Sequence, residues 1–482
     1  IGGNPMNTLS KSTYLMGLQC PLLLWCRYNA PEEIPPPDEG TAAIFRQGYE
    51  VGRLAHTLYP GGVEVDLAGG VPHTLAHTRQ LLGERRIIYE GSVSVPHAYV
   101  RADILVPVED VRWDLIEVKS ATTVKGINLE DVAFQRHCFL GAGVELRTCN
   151  VMVLNRDYVR QGNIEPSGLF RLENVTDQTD PVVLRVEKKV QRMLAVINGP
   201  RPEVQPGLHC SNPYACAMNC RAKLPEHNVA ELYRIQSKNW STLLQQGIQR
   251  IAEISGPLTP PQEIQRQTIL SGRPHVDKDL LAAFLYSLDE PLAYLDFETF
   301  SVAIPPLDGL RPYQQVPFQF SLLVEGRASD YLADGGDPRP GFLEALRDAL
   351  PSRGTILVWN ATFEKGRLKE LAELYPEHKS WIEEALQRVV DLMIPFRNFW
   401  VYHPAQHGSC SIKAVLPALT GQTYGDLEIH QGDAASRTYL QMVEGSLAPA
   451  EKARFRKALL EYCRQDTAAM GSIVKVLESY YR

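Results

Sequence analysis

The sequence predicts an α/β protein built as two successive units. Three observations lead there. The chain has 482 residues, too many for one ordinary core at about 150 residues per domain. Short β-rich runs alternate with helical stretches in both halves. Between them the composition changes once, at Ser-Gly-Pro-Leu-Thr-Pro-Pro directly after Ile254, a passage dominated by turn formers. The expected boundaries are residues 6–250 for the first domain, 251–288 for a connector with some helix, and 289–482 for the second domain.

In the first domain a helix is expected over Thr41–Leu58. Strands follow at Arg86–Val95, Tyr99–Val106 and Trp113–Lys119, then a helix at Leu129–Leu140 and a strand at Arg147–Leu154. That order suits a small mixed sheet. Past Val182 the pattern is helical until a Pro-rich, Cys-bearing segment. The second domain opens on an apolar strand, Leu292–Phe297, followed by strands at Phe318–Glu325 and Thr355–Trp359 and by helices to the end of the sequence.

Composition narrows the function classes. The apolar fraction of 44% is that of a globular chain, and no apolar run approaches the roughly 20 residues of a membrane span. The greasiest stretch, Tyr14–Trp25, is broken by Gln19 and Pro21 and lacks the charged start and cleavage site of a secretory signal. Ile-Gly-Gly-Asn-Pro ahead of Met6 reads as a cloning scar and is set aside. A cytoplasmic protein without membrane contact is expected. The net charge of −7 argues against a polyanion partner only until metal-bound carboxylates are discounted from it; between Arg160 and Arg250 there are 12 Lys or Arg against 8 Asp or Glu, a modestly basic window or an ordinary solvated surface. No Gly-Lys dipeptide occurs, which excludes a Walker phosphate loop.

The first group of chemistry-bearing residues lies on the early strands. Side chains alternate along a strand, so Glu117 and Lys119 share a face. Asp103, on the preceding strand, supplies a second carboxylate. Glu117 can hold a divalent cation while Lys119 reaches the same phosphate or the attacking water. His56 ends the helix Gly-Tyr-Glu-Val-Gly-Arg-Leu-Ala-His and could add an imidazole ligand. Gln135 follows in Asp-Val-Ala-Phe-Gln-Arg-His.

In these residues the sequence resembles the RecB-type branch of the PD-(D/E)xK nucleases, to which CRISPR-adaptation nucleases belong. The resemblance implies a restriction-endonuclease-like fold with His56, Asp103 and Glu117 as ligands of Mg2+ or Mn2+, Lys119 as the water-activating or phosphate-contacting group, and Gln135 as a supporting residue. That branch often carries a 4Fe-4S cluster bound by one cysteine before and three after the nuclease sheet. Nine cysteines in a reducing compartment make disulfides improbable. Cys210, Cys216 and Cys220 lie close together, and Cys20 in Leu-Gln-Cys-Pro is the distant partner the resemblance implies. Thiolates alone suit zinc as well, the spacing differs from the commoner pattern, and Cys26 competes for the N-terminal ligand.

The second group starts with Tyr-Leu-Asp-Phe-Glu-Thr-Phe, where Asp296 and Glu298 fall on one face of an apolar strand. Burying two carboxylates there calls for a compensating cation. At the far end, Tyr462 and Asp466 are four apart on one helix face, and a metal-bound acid with a tyrosine beside the water is a hydrolytic arrangement. With Asn360-Ala-Thr-Phe-Glu364 these segments resemble the DnaQ-like 3′-to-5′ exonucleases of the RNase H-like fold, in the subgroup using tyrosine. The resemblance implies Asp296, Glu298 and Asp466 as metal ligands and Tyr462 as the residue orienting the water. Glu364 stands where the family has Asp, and Asp391 is the reserve acid. Ser409–Lys413 resembles a substrate-side segment in which Lys413 meets a phosphate, or is a solvated helix start with serine capping. Phe318, Phe320, Trp359 and Phe363 either stack bases or belong to the core.

The expected function is thus a two-site, metal-dependent nuclease acting on single-stranded or end-frayed DNA in repair, mobile-element defence or CRISPR adaptation. The order of modules also resembles an uncharacterised bacterial family fusing the two nuclease types. The alternatives are a nucleic-acid-binding iron–sulfur subunit of a helicase or integrase complex with an inert second site, and an RNA exonuclease.

Overall fold

The computed structural model describes residues 8–109 and 111–481; the residues set aside as a cloning scar lie outside that range. The chain divides into two compact units, one running to Ala222 and including Val302–Gln314, the other Lys223–Ser301 with Gln315–Arg482. The division thus falls earlier than the composition change suggested, and the passage expected to be a connector belongs to the second unit. The reason is a small core of its own: Val229, Leu232, Trp240, Ile251 and Ile254 bury together, and the Gln265 side chain accepts from the Tyr233 amide at 2.7 Å and donates to the Glu231 carbonyl at 2.9 Å. Apolar residues scattered through two short 3₁₀ turns and a nine-residue helix have no period that a pattern search can register.

The first unit is built on seven strands: β1 Leu9–Ser10, β2 Val63–Glu64, β3 Ile88–Val95, β4 Ala98–Pro107, β5 Trp113–Val118, β6 Leu146–Leu154 and β7 Phe170–Asn174. Their order is β2-β3-β4-β5-β6-β7, with β1 paired to β4. β3, β4 and β5 form an antiparallel meander, and β6 joins β5 in parallel through a crossover helix, Gly126–Gly141, as a parallel connection requires. Ile104 pairs with Ile116, and continuing that register sets Asp103 across from Glu117. One face of the sheet packs Val100, Ala102, Leu115 and Val151 against Val132 and Phe134 of the crossover helix; the other packs Ile104, Ile116 and Met152 against Val51 and Ala55 of the helix Glu39–His56. With both faces covered, Glu117 is 1% exposed. The apolar stretch near the start becomes two helices, Lys11–Gln19 and Pro21–Asn29. Its interruptions are their junction, since proline suits a first helical position.

In the second unit β8 His275–Val276 pairs with β14 Val401–Tyr402. The main sheet contains β9 Ala293–Phe300, β10 Val316–Val324, β11 Arg327–Leu332, β12 Ile356–Val358 and β13 Val389–Asp391, in the order β11-β10-β9-β12-β13. β10 is antiparallel to both neighbours, while β12 is parallel to β9 and β13. Ala293, Leu295 and Phe297 of the central strand bury against Phe342, Leu346, Leu368 and Leu371, from the helices Pro338–Ala349 and Ala361–Leu374. Alternation then turns Asp296 and Glu298 to the opposite face, where the 33-residue helix Pro449–Tyr481 lies. That helix is tied to the sheet by Gln319, whose amide donates to the Leu459 carbonyl at 2.8 Å, and by a 3.1 Å Ser321–Thr467 hydroxyl pair. Strands β11 and β13 were not anticipated: the first is a polar edge and the second only three residues long.

Candidate active site

The second unit gathers the acids that the sequence pairs across 170 positions. One carboxylate oxygen each of Asp296, Glu298 and Asp466 lies within 4.8 Å of the others. Two come from the central strand and one from the long helix, so the site exists only where helix and sheet are packed together. Glu298 and Asp466 are each 7% exposed. Burial, then the charges of Asp466 and the neighbouring acids, push the carboxyls of Asp296 and Glu298 well above the usual range. Asp466 is raised to about 6 by burial, although Tyr424 donates its hydroxyl to Asp466 Oδ1 and Lys413 opposes the shift. Carboxyls packed this closely cannot all ionise alone.

Glu364 sits beside this triad, not within it. It is 2% exposed, its charge is felt at Asp296 and Glu298, and its Oε2 has no hydrogen-bond partner among the described residues. Burial, with Asp391 adding to it, raises its carboxyl to about 8. A buried acceptor left bare is costly. Asp391, the reserve acid, has partners of its own: its Oδ1 accepts the amides of Asn360 and Met393 at 3.1 and 3.0 Å, and Arg397 pairs with its Oδ2 at 3.2 Å. It shapes the turn that launches the helix carrying Glu364.

Lys413 donates to the Tyr462 hydroxyl at 2.8 Å, with its ammonium 5.0 Å from the centre of that ring and 5.6 Å from that of Tyr424. Burial and the adjacent Asp466 and Glu298 drive the Tyr462 phenol far above its ordinary range, so it keeps its proton while it accepts from Lys413. Ser411 does head the helix Ile412–Thr420, but without a side-chain cap. Tyr424 and Cys463 were missed by sequence reasoning. Cys463 Sγ lies 3.5 Å from Asp296 Oδ2 and adjoins Tyr462 in sequence, which was a usable signal; Tyr424 lies between helices, where no periodicity marks it. Of the aromatic residues offered for base stacking, Phe318 and Phe320 are core, at 0% and 1% exposure, with Phe318 stacked on Tyr439 at 3.9 Å. Phe363 packs against the same core as Phe320, and the Trp359 indole donates to the Cys410 carbonyl at 3.1 Å.

In the first unit, Glu117 is ringed by cations. Lys119 and Lys11 donate to its Oε1 at 2.6 and 2.7 Å, and Gln135 donates to its Oε2 at 2.7 Å. Lys119 also reaches Asp131 at 2.7 Å, and Gln135 binds the other Asp131 oxygen at 2.9 Å. The two ammonium groups outweigh burial and hold Glu117 well below the usual carboxylate range. Asp103 takes the Val118 amide at 2.7 Å, and burial beside Glu117 raises it to about 7. The structure thus brings Asp103, Glu117, Lys119 and Gln135 together. It does not bring His56 to them: among the described residues no ligand trio includes it, and its ring stacks on Tyr89 at 3.9 Å. Lys11 and Asp131 are additions. Asp131 stands one helical turn before Gln135, a detectable spacing, whereas Lys11 comes from a distant segment with no local signature.

The cysteines converge as well. Gln19 donates to the carbonyls of His209 and Tyr214 at 2.9 and 2.8 Å, fixing the turn at Cys20 against the Cys210–Cys220 segment, where the Cys216 amide donates to the Cys210 carbonyl at 2.9 Å. Cys20 feels Cys216 and Cys210, and Cys216 feels Cys220. Cys26 is part of the same apolar cluster as Cys20 and Cys220, so the competing ligand is present too. All are free thiols, and among the described residues no three of them bring their Sγ atoms within 4.8 Å of one another.

Residues 293–411 match a domain family described as a domain of unknown function, DUF2779. The uncharacterized protein MG366 homolog of Mycoplasma pneumoniae is 26% identical over 218 residues, 40% of this chain and 33% of that one. The uncharacterized protein MG366 of Mycoplasma genitalium is 27% identical over 216 residues, 40% of this chain and 32% of its own. This chain spans about a third of the length of the curated relatives it matches. A solved family B DNA polymerase from the archaeon Pyrobaculum calidifontis overlaps 39% of this chain and 24% of its own at 14% identity, with a TM-score of 0.25, a likeness too slight to carry weight.

Proposed function

We propose that the chain is a metal-dependent phosphodiester hydrolase whose principal active centre is the acid cluster of the second unit, a 3′-to-5′ exonuclease of the DnaQ-like type. One observation carries the reading: Asp296, Glu298 and Asp466 bring ligand oxygens within 4.8 Å of one another in surroundings that penalise their charges. Ions such as Mg2+ or Mn2+ held by these residues would supply Lewis acidity and a water of lowered pKa. The neighbouring side chains divide the remaining work. Tyr462, kept protonated, donates to and orients the attacking water. Lys413 fixes that phenol and offers positive charge to a phosphate oxygen. Glu364, with one oxygen bare, is the side chain free to turn toward a second cation. The mixed sheet with its acid-bearing strand at the centre and the last acid on a C-terminal helix supports the RNase H-like resemblance.

The first unit is proposed as a PD-(D/E)xK-type module with Asp103, Glu117 and Lys119, attached to a 4Fe-4S or zinc site at Cys20, Cys210, Cys216 and Cys220. A binding role for this unit is also supported, because Glu117 is already neutralised by two lysines and, among the described residues, no histidine joins it in a ligand trio. Single-stranded or frayed DNA in the cytoplasm is the proposed substrate, with RNA the competing polymer. The test is a panel of end-labelled single-stranded DNA, duplex DNA and RNA incubated with Mg2+ or Mn2+ and either the intact chain or Asp466→Asn. Stepwise shortening of a DNA strand by the intact chain alone supports the proposal. Equal degradation by both proteins, or none by either, contradicts it.

A further inference from the structure

We propose that His227, Glu231 and His407 form a second kind of metal site, one that takes a single divalent transition-metal ion of the zinc class and clamps two loops of the second unit. One ring nitrogen of each histidine and one Glu231 oxygen lie within 4.8 Å of one another. The site draws no residue from either proposed nuclease centre or from the cysteine cluster.

An ordinary ion pair would account for Glu231 and His407, whose Oε2 and Nδ1 are 2.9 Å apart. It does not account for His227. That ring lies nearly parallel to His407, with centroids 5.0 Å apart and planes at 22°, and its Nδ1 is buried without a hydrogen-bond partner among the described residues. The carboxylate is aimed as well: Asn228 donates to Glu231 Oε1 at 2.6 Å, leaving Oε2 for the cluster, the type of outer support that orients metal ligands. Two nitrogens and one oxygen favour zinc and its neighbours over Mg2+, which prefers oxygen and retains its waters.

The clamp has a definite place in the fold. His227 precedes and Glu231 closes the short turn Val229–Glu231, while His407 caps the turn Pro404–Gln406 five residues before the helix bearing Lys413. The chains touch closely here, since a Cβ at Gly408 would stand 1.9 Å from the Glu231 carbonyl oxygen. An ion at this point would hold the approach to the Lys413 helix against the small core around Trp240.

The test is Co2+ titration of the full chain in excess Mg2+, read by visible and near-ultraviolet absorption, comparing the intact protein with His227→Asn/His407→Asn. Asparagine is chosen because both histidines have left-handed backbone, at φ 55° and 49°, which it tolerates. The intact chain should take up one more Co2+ than the variant, seen as extra visible bands with no change in thiolate charge-transfer absorption, and Zn2+ should raise its melting temperature further than that of the variant. Should the double variant fail the circular-dichroism check for folding, Glu231→Gln must lose the same equivalent. Identical stoichiometry and melting shifts overturn the proposal, as does a difference confined to the thiolate bands.

Discussion

Glu364 is the residue whose standing changed most. The sequence marks it as a departure, one methylene longer than the family's acid, yet it is buried beside the triad with an oxygen free. Its carboxyl is raised from 4.5 to about 8, so between those values the folded state binds more protons than the unfolded state and stability falls as pH rises. In chelator-treated protein, melting temperature should therefore drop between pH 6 and 8, and Glu364→Gln should reduce that drop; equal drops in both would contradict the assignment. Tyr462→Phe removes the phenol's donor while leaving the carboxylates in place. Hydrolysis should slow by about a hundredfold with Mn2+ affinity, measured by paramagnetic resonance, unchanged; a parallel loss of Mn2+ would make Tyr462 a structural prop. At this scale the acids and the tyrosine were legible because their spacing encodes a shared face. His56 was not, because whether a helix histidine reaches a sheet depends on the packing angle and on the Tyr89 ring that holds it.

Among the elements, strands with alternating or apolar runs were legible to within a few residues, and β4, β5 and β9 place the acids as their alternation requires. Elements lacking a period were not. The sequence reading assigns no element around Trp240, yet that tryptophan is 2% exposed in a core of its own. Trp240→Ala should cost the second unit about 3–5 kcal/mol, measured by denaturant unfolding; a loss below 1 kcal/mol would mean that the segment is an appendage. The Cys210–Cys220 segment makes a different claim. Cys216→Ser should remove bound iron and acid-labile sulfide, or bound zinc, from protein prepared without oxygen, while Asp296→Asn keeps them. Retention of full metal content in Cys216→Ser would exclude that thiol as a ligand.

For the whole molecule, the sequence leads to two expected nuclease centres, with an inert second one as the alternative, and the two acid clusters of the structure differ in how far they are already neutralised. In the first unit lysines and an amide already satisfy Glu117. In the second, buried acids stand with one nearby lysine, itself bound to Tyr462, and such a cluster gains most from a cation. This asymmetry could not be read from motifs, since Lys11 arrives at Glu117 from a segment 106 positions away. The most direct measurement is single-turnover degradation of 5′-labelled single-stranded DNA with Mg2+ by three proteins: the intact chain, Asp296→Asn and Lys119→Ala. A stepwise ladder from the 3′ end should persist in Lys119→Ala and vanish in Asp296→Asn. A ladder that survives in Asp296→Asn and is lost in Lys119→Ala would place the activity in the first unit and contradict the proposal.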